Sequence, residues 1–337
     1  MNVLGIETSC DECSVSVVEN GKTIRSNVVA TQIEIHRPYN GVVPEIASRL
    51  HTEWIRPVVE KALEEGGLAK EELDGVAVTN RPGLVGSLLV GLSFAKGFAY
   101  SLGVPLVGVN HIEAHLYAPH LEYDITYPYL GVIVSGGHTI ISVVSDIDAM
   151  EVLGTTIDDA CGEAFDKVAK HYKLGFPGGV VIDKLAAKGN PDAFHFPFPS
   201  LHKGDHTFDV SYSGLKTAVI NQLDQFWNDQ YEKSNENIAA AFQKTAIDIL
   251  VSRIEKAAEY TGLNTVVLGG GVAANSYLRE RVKSFEEAGS IFPSLALCTD
   301  NGAMIAGLGY HYLNRGDAAP LSINATARVA NYRKTYP

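Results

Sequence analysis

The sequence predicts an α/β fold made of two copies of one plan. Three observations predict it: strand-length apolar runs alternate with helical stretches, the order of elements near the start returns in the middle, and the unusual loops of both halves follow strands in matching places. Such alternation implies a largely parallel sheet with covered faces. Ligands of such sheets bind at loops beyond the carboxyl ends of the strands.

Taken in order, "NVLGIET" (2–8) reads as a short buried strand and "SVSVVE" (14–19) as a second. Asn20-Gly21 is a hairpin turn, and "KTIRSNVVA" (22–30) is a third strand. A helix over about 44–65 leads to the strand "GVAVT" (75–79), the loop "NRPG" and a helix from Leu84. The strand "VPLVGVNH" (104–111) then runs into a helix beginning at His111.

The plan returns with "YLGVIVS" (129–135), "GGHTIISVVS" (136–145) and "AMEVLGTT" (149–156) as three strands. A helix of about 236–261 leads to the strand "TVVLGGG" (265–271) and the helix "VAANSYLRERVKSF". "LALCTDNG" (295–302) reads as the counterpart of 104–111, a strand running into a helix that begins near Asp300. The expected lobes, facing each other across a cleft, are residues 1–124, completed by a C-terminal helix of about 303–337, and residues 125–302, with a helical insertion at about 157–240.

Composition narrows the class. The 337 residues are 46% apolar and 20% charged, as in a globular protein of about two domains. Four cysteines are no disulfide framework, there is no basic-then-apolar leader, and the longest apolar run, 84–95, is short for a membrane span. A reducing, cytoplasmic setting is expected, with no membrane partner. The net charge of −12 is opposite to that of a dedicated nucleic-acid binder, so such a partner would be met by a local basic patch or through another protein. Candidates for that patch are the basic residues within 279–283 and Arg328, Arg333 and Lys334, which read equally well as solvated surface.

Two glycine-rich loops could seat an anion. "VSGGHT" (134–139) lets backbone N–H groups converge without Cβ interference, and "VVLGGGVAANS" sets three glycines between a strand and a helix. Neither is a P-loop, since no Gly-Lys-Ser/Thr follows. Asp166 and Asp183 flank a Pro-Gly-Gly break between two helices, where paired carboxylates could hold ribose hydroxyls or simply face water. "SYSGLKT" (211–217) reads as a helix cap.

In "NHIEAHLYAPH", His111 and His115 are one helical turn apart and share a face, a spacing that suits two imidazoles on one metal ion. It is not the zincin motif, because its acid, Glu113, stands two residues on from His111, about 200° round the helix, and cannot act as that motif's base. Asp300, at the matching place in the second half, would be a third ligand. Two histidines and a carboxylate suit Fe(II) or Zn(II). A helix cap and a core histidine are the competing reading.

The chain resembles the tRNA threonylcarbamoyladenosine transferases, bacterial type, once described as glycoproteases. The likeness spans about residues 2–325 and rests on "GIETSCDE", "PGLVGSLLVGL", "VNHIEAHL", "VSGGHT", "DDACGEAFDKVAK", "SYSGLKT", "GGGVAANSYLR" and "CTDNGAMIA". It implies the duplicated actin-like, sugar-kinase-like fold. It implies transfer of a threonylcarbamoyl group from threonylcarbamoyl-AMP to N6 of adenosine 37 in tRNAs that read codons beginning with A. It also implies one divalent metal, Fe(II) before Zn(II), on His111, His115 and Asp300. Val134, Ser135, Gly136, Gly137, His138, Asp166, Gly179, Asp183 and Asn275 match substrate contacts, and Asp11 and Glu12 match a catalytic acidic pair. Partners implied are tRNA, an inactive actin-like paralogue and a small ATPase. Departures include Cys13 for Thr, Asn40 for Gly, Arg81 for Gly and Gly302 for Ala; Val134 stands where some relatives carry a tyrosine ligand. Competing readings are an actin-like ATPase or small-molecule kinase, which leaves the histidines idle, a metalloprotease, and a scaffold without activity.

Overall fold

The computed structural model describes all residues except 202–205, 284–288, 330, 331 and 333–337. The chain divides into two compact units, Met1–Ile125 with a return segment from Pro293, and Thr126–Phe292.

The first unit carries β1 (Asn2–Glu7), β2 (Glu12–Glu19), β3 (Thr23–Thr31), the short α1 (Ile33–His36), α2 (Pro44–Gly66), β4 (Gly75–Arg81), α3 (Val85–Leu102), β5 (Leu106–Asn110) and α4 (His111–Tyr117). Its sheet runs in the order β3-β2-β1-β4-β5. β1 is antiparallel to β2, from Asn2 opposite Glu19 to Glu7 opposite Ser14, and parallel to β4, which is parallel to β5. Asn20 and Gly21 take φ of 50° and 71°, the left-handed pair a two-residue hairpin demands. Leu4, Ile6, Val15, Val17, Val76 and Val78 form the centre of this unit's core, and Leu92 and Ala95 of α3 pack on it. Each of these valine, leucine and isoleucine burials contributes about 1.5–3 kcal/mol.

The second unit carries β6 (Tyr129–Val134), β7 (Thr139–Asp146), β8 (Ala149–Thr155), α5 (Cys161–His171), α6 (Gly178–Ala186), α7 (Ser213–Asn221), α8 (Asn235–Thr261), β9 (Thr265–Gly269), α9 (Ser276–Lys283) and β10 (Gly289–Ile291). Its order is β10-β9-β6-β7-β8. Read from the other edge, that is the first sheet's order, with the same antiparallel and parallel pairings. The repeated plan is therefore a repeated topology.

Two readings are corrected here. Residues 295–302 are not a strand: α10 (Leu295–Cys298) is a helical turn, and the fifth strand of the second sheet is β10. The return into the first unit accordingly begins near Pro293 rather than 303, tied by the Ser294 N–H donating to Glu122 at 2.7 Å. α11 (Gly302–Arg315) then lies directly on β1. A Cβ at Gly5 would stand 2.2 Å from the Gly302 carbonyl oxygen, so glycine is what allows that approach.

The apolar run 84–95 continues as one helix to Leu102, so α3 is by length and composition able to cross a membrane. Its buried face of Leu88, Leu92, Ala95 and Ala99 lies in the first unit's core instead.

Candidate active site and metal centre

In the first unit, three adjacent parallel strands bring polar side chains to their carboxyl ends: Glu7 on β1, Thr79 on β4, and Asn110 with His111 where β5 passes into α4. Asn110 starts α4 by accepting the Ile112 N–H at 2.9 Å. One turn of helix then sets the His111 and His115 rings 4.6 Å apart, centre to centre. Asp300, two residues before α11, completes the group. Its Oδ1 lies 3.6 Å from His111 Nε2 and 3.2 Å from His115 Nε2. One ligand atom from each of the three falls within 4.8 Å of the others, so among the described residues they form a cluster able to hold a metal ion. The donor set fits a divalent metal: two imidazole nitrogens from buried side chains and a partly buried carboxylate converge.

The far side of His111 is equally organised. Its Nδ1 lies 3.0 Å from Glu7 Oε2 and 3.2 Å from Ser9 Oγ. Glu7 is fully buried and accepts from the Ser9 N–H and the Thr79 hydroxyl, each at 2.5 Å. Burial alone would raise the Glu7 carboxyl, yet His111 beside it holds it below its ordinary value. Burial alone would lower His111, yet Asp300 and Glu7 lift it to about 9. Burial, and then the neighbouring His111, keep His115 low. Its Nδ1 is buried without a hydrogen-bond partner. Glu113 faces elsewhere, accepting from Asn110 Nδ2 at 2.9 Å and from the Tyr312 hydroxyl at 3.3 Å. It ties the start of α4 to α11 and is no zincin base.

The turn after β1 holds Asp11 and Glu12. Asp11 is buried. Burial, then the neighbouring Asp11 and Asp300 carboxylates, push Glu12 well above the usual carboxyl range. The turn is clamped from behind: the Leu84 N–H donates to Ser9 O at 2.8 Å, the Thr8 hydroxyl to Ser87 O at 3.0 Å, and His51 Nε2 lies 2.9 Å from Cys10 O. A Cβ at Gly83 would meet Ser9 O at 2.6 Å, which accounts for the glycine that precedes α3. Arg81 donates to Asn80 Oδ1 at 3.1 Å at the end of β4. Cys10 and Cys13 are free thiols, and burial, then Glu7, pushes Cys13 up to about 12.

In the second unit, the Ser135–His138 loop is closed by the Ser135 N–H donating to His138 O at 2.8 Å and the His138 N–H donating to Ser135 Oγ at 3.1 Å. Gly136 and Gly137 are exposed, and a Cβ on either would meet nothing within 4 Å. The start of α5 supports the loop through the Gly162 N–H, which donates to Ser135 O at 3.1 Å. Val134 has its side chain wholly buried in β6, so only its backbone can face a ligand. Asp166 accepts the Gly178 N–H at 2.7 Å at the start of α6. Asp183 accepts from Ser276 Oγ at 2.7 Å and from Asn275 Nδ2 at 3.2 Å. Thus Asp183, Asn275 and Ser276 are brought together, and Gly179 lies on the same helix as Asp183.

The family model TsaD, described as tRNA N6-adenosine threonylcarbamoyltransferase, matches residues 23–307. The protein of that name from Treponema denticola is 64% identical over 334 residues, covering 99% of both chains. That of Borreliella burgdorferi B31 is 51% identical over 337 residues, covering 100% of this chain and 96% of its own. The chain belongs to the tRNA N6-adenosine threonylcarbamoyltransferase family.

Solved structures extend this to the fold. The (R)-2-hydroxyglutaryl-CoA dehydratase component A of Acidaminococcus fermentans matches with TM-score 0.56 at 16% identity, covering 93% of this chain and 99% of its own. Full-length HypF in a phosphate- and nucleotide-bound form matches with TM-score 0.61 at 15% identity, covering 93% and 46%. The duplicated sheets are those of the actin-like, sugar-kinase-like fold.

Sequence reading within this family pattern passed over Glu7, Thr79 and His51. Their signals were an acid ending an apolar strand and a histidine inside an amphipathic helix. "SYSGLKT" is capped from outside itself: Asp158 accepts from Ser211 Oγ at 2.5 Å, the Tyr212 N–H at 2.8 Å and Ser213 Oγ at 2.8 Å. The basic stretch of α9 is engaged too, with Arg279 donating to Ala273 O at 2.8 Å and Arg281 3.0 Å from Asp248. Arg333 and Lys334 lie outside the described residues.

Proposed function

We propose that this chain transfers the threonylcarbamoyl group of threonylcarbamoyl-AMP to N6 of adenosine 37 in tRNAs that read codons beginning with A. The observation that carries the reading is the convergence of His111, His115 and Asp300 in a chain of this family, close enough to the Asp11–Glu12 turn for Asp300 to act on Glu12 electrostatically. An ATPase or kinase would leave that cluster without a role.

His111, His115 and Asp300 would hold one divalent ion, Fe(II) before Zn(II). When bound, it would supply Lewis acidity to the carbonyl of the transferred group. Adenine N6 is a weak nucleophile because its lone pair is delocalised into the ring. Asp11 orients it and accepts its proton as the new C–N bond forms and AMP leaves. Glu12, pushed well above the usual carboxyl range by burial and then by Asp11, would donate a hydrogen bond beside it when protonated. Backbone N–H groups at Gly136 and Gly137 hold the departing phosphate, which their open glycine surface permits. Asp166, Gly179, Asp183 and Asn275 hold the nucleoside part.

A cytoplasmic location follows from the substrate, and we assign tRNA, an inactive actin-like paralogue and a small ATPase as partners. The test is transfer of labelled threonine from synthesised threonylcarbamoyl-AMP to an A-decoding tRNA, with the partner proteins supplied. Labelled tRNA is expected with adenosine 37 intact and none when it is replaced. ATP turnover on a small-molecule acceptor without tRNA labelling would instead establish a kinase.

A further inference from the structure

We propose that Glu7 is a positioning residue of the metal centre: its carboxylate fixes His111 with the proton on Nδ1, leaving Nε2 as the ligand atom. The inference rests on the metal reading of His111, His115 and Asp300.

A carboxylate at the end of β1 needs explaining. Glu7 is 0% exposed, and it follows Leu4 and Ile6 in a strand bounded on both sides by others. A buried carboxylate is costly unless fully hydrogen-bonded, and well-packed apolar replacements often serve stability as well or better. Stability alone therefore does not account for an acid here. Its surroundings do. Ser9 N–H and the Thr79 hydroxyl are both donors, each 2.5 Å from a different carboxylate oxygen. Two donors keep the group ionised, and an ionised carboxylate only accepts. The remaining neighbour, His111 Nδ1 at 3.0 Å, must then be the donor.

That choice matters because His111 has a second option. Ser9 Oγ lies 3.2 Å from the same Nδ1, and a hydroxyl can donate as well as accept. If Ser9 donated, the proton of a neutral imidazole would sit on Nε2, the atom 3.6 Å from Asp300, and that atom could not ligate. Glu7 settles the competition. Thr79 on β4 holds the Glu7 carboxylate, Glu7 holds His111, and the ring's other nitrogen is left facing His115 and Asp300. Partners of this kind typically affect metal affinity by about 10–100-fold.

A glutamine at position 7 has one oxygen and one NH2. With the oxygen kept on the Ser9 N–H, the NH2 turns towards His111 Nδ1 and selects the wrong tautomer. Thr79→Val keeps the charge and removes one support, so its effect should be smaller.

The test uses the full chain with the metal alone as probe. Co(II) is titrated into wild type, E7Q, T79V and H111A, with visible absorption as the readout. Wild type should bind one Co(II), H111A should not, E7Q should bind about 10–100-fold more weakly, and T79V should fall between. E7Q and T79V binding like wild type, while H111A fails, would overturn the role of Glu7 and leave the metal reading standing. Wild type binding no Co(II) at this site would overturn both. Should E7Q not fold, imidazole nitrogen NMR on Zn(II)-loaded wild type decides: a proton on His111 Nδ1 supports the inference, and a metal-bound Nδ1 refutes it.

Discussion

His51 of α2, wholly buried, places its Nε2 2.9 Å from the carbonyl oxygen of Cys10, on the turn that carries Asp11 and Glu12. Burial holds this imidazole low, so it stays neutral and donates from Nε2. A helix on one side of the sheet thus anchors the loop on which the acidic pair sits. His51→Leu should cost about 1–3 kcal/mol, because the part-buried Cys10 carbonyl loses its donor. It should also lower kcat of threonylcarbamoyl transfer about tenfold, from loss of positioning, while Co(II) affinity stays as in wild type. Denaturant unfolding, transfer kinetics and metal titration measure the three separately; a matching fall in metal affinity would show that the turn and the metal cluster are one unit.

His111→Ala, His115→Ala and Asp300→Ala should each remove metal and transfer activity together. The pH dependence has a definite sign. Asp300 and Glu7 raise His111 to about 9 against burial, so the metal-free imidazole is protonated at neutral pH and must release a proton to ligate. Apparent metal affinity should therefore rise with pH, about tenfold per unit, and level off near pH 9. Isothermal titration in two buffers of different ionisation enthalpy checks the proton count, and a pH-independent affinity would contradict it.

Asp11→Asn and Glu12→Gln should separate chemistry from metal binding. Loss of a general acid or base typically costs about 10²–10⁴-fold in rate. Single-turnover transfer with synthesised threonylcarbamoyl-AMP should fall by that order in Asp11→Asn while metal content is kept. Full single-turnover transfer by Asp11→Asn would remove its role as proton acceptor.

Much of the fold was legible because its signals are local. Asn20-Gly21 announces its hairpin by backbone conformation alone, and the repeated run of strand, turn and helix needs no tertiary knowledge. His111 and His115 were legible because helical spacing by itself puts them on one face. Residues 295–302 were misread because an apolar "LALC" has the length of a strand and of a helical turn alike, and only the edge of the second sheet, filled by β10, decides. Glu7 and His51 were illegible as site residues for a different reason. Their partners are 104 and 41 positions away in sequence, so no spacing rule joins them.

Acid should weaken the first unit through His120. Its ring stacks on Tyr117 at 5.3 Å between centres, and burial, then His311 and Lys22, lower it from 6.5 to about 4. The folded state therefore binds this proton less readily than the unfolded chain. The stability contributed is present above pH 6.5 and is lost as pH falls from there towards 4. Allowing for partial solvent screening, the loss is about 1–3 kcal/mol. His120→Gln should flatten that limb in denaturant unfolding measured from pH 7 to 4; an unchanged slope would show that other groups set it.

Gly162 tests the phosphate-holding role proposed for the Ser135–His138 loop without touching a polar side chain. A Cβ there would stand 2.8 Å from both the Ser135 carbonyl oxygen and Gly136 Cα, and neither can yield without moving the Ser-Gly-Gly turn. Gly162→Ala should thus cost about 1–3 kcal/mol as overpacking. The displaced N–H groups at Gly136 and Gly137 should raise KM for threonylcarbamoyl-AMP more than they lower kcat, and the KM for tRNA should not move. Gly179→Ala is the control: a Cβ there meets nothing within 4 Å, so any effect it has would come from contact with the nucleotide rather than from packing. Equal effects of Gly162→Ala on both substrates would place the loop's role in overall stability rather than in holding the donor.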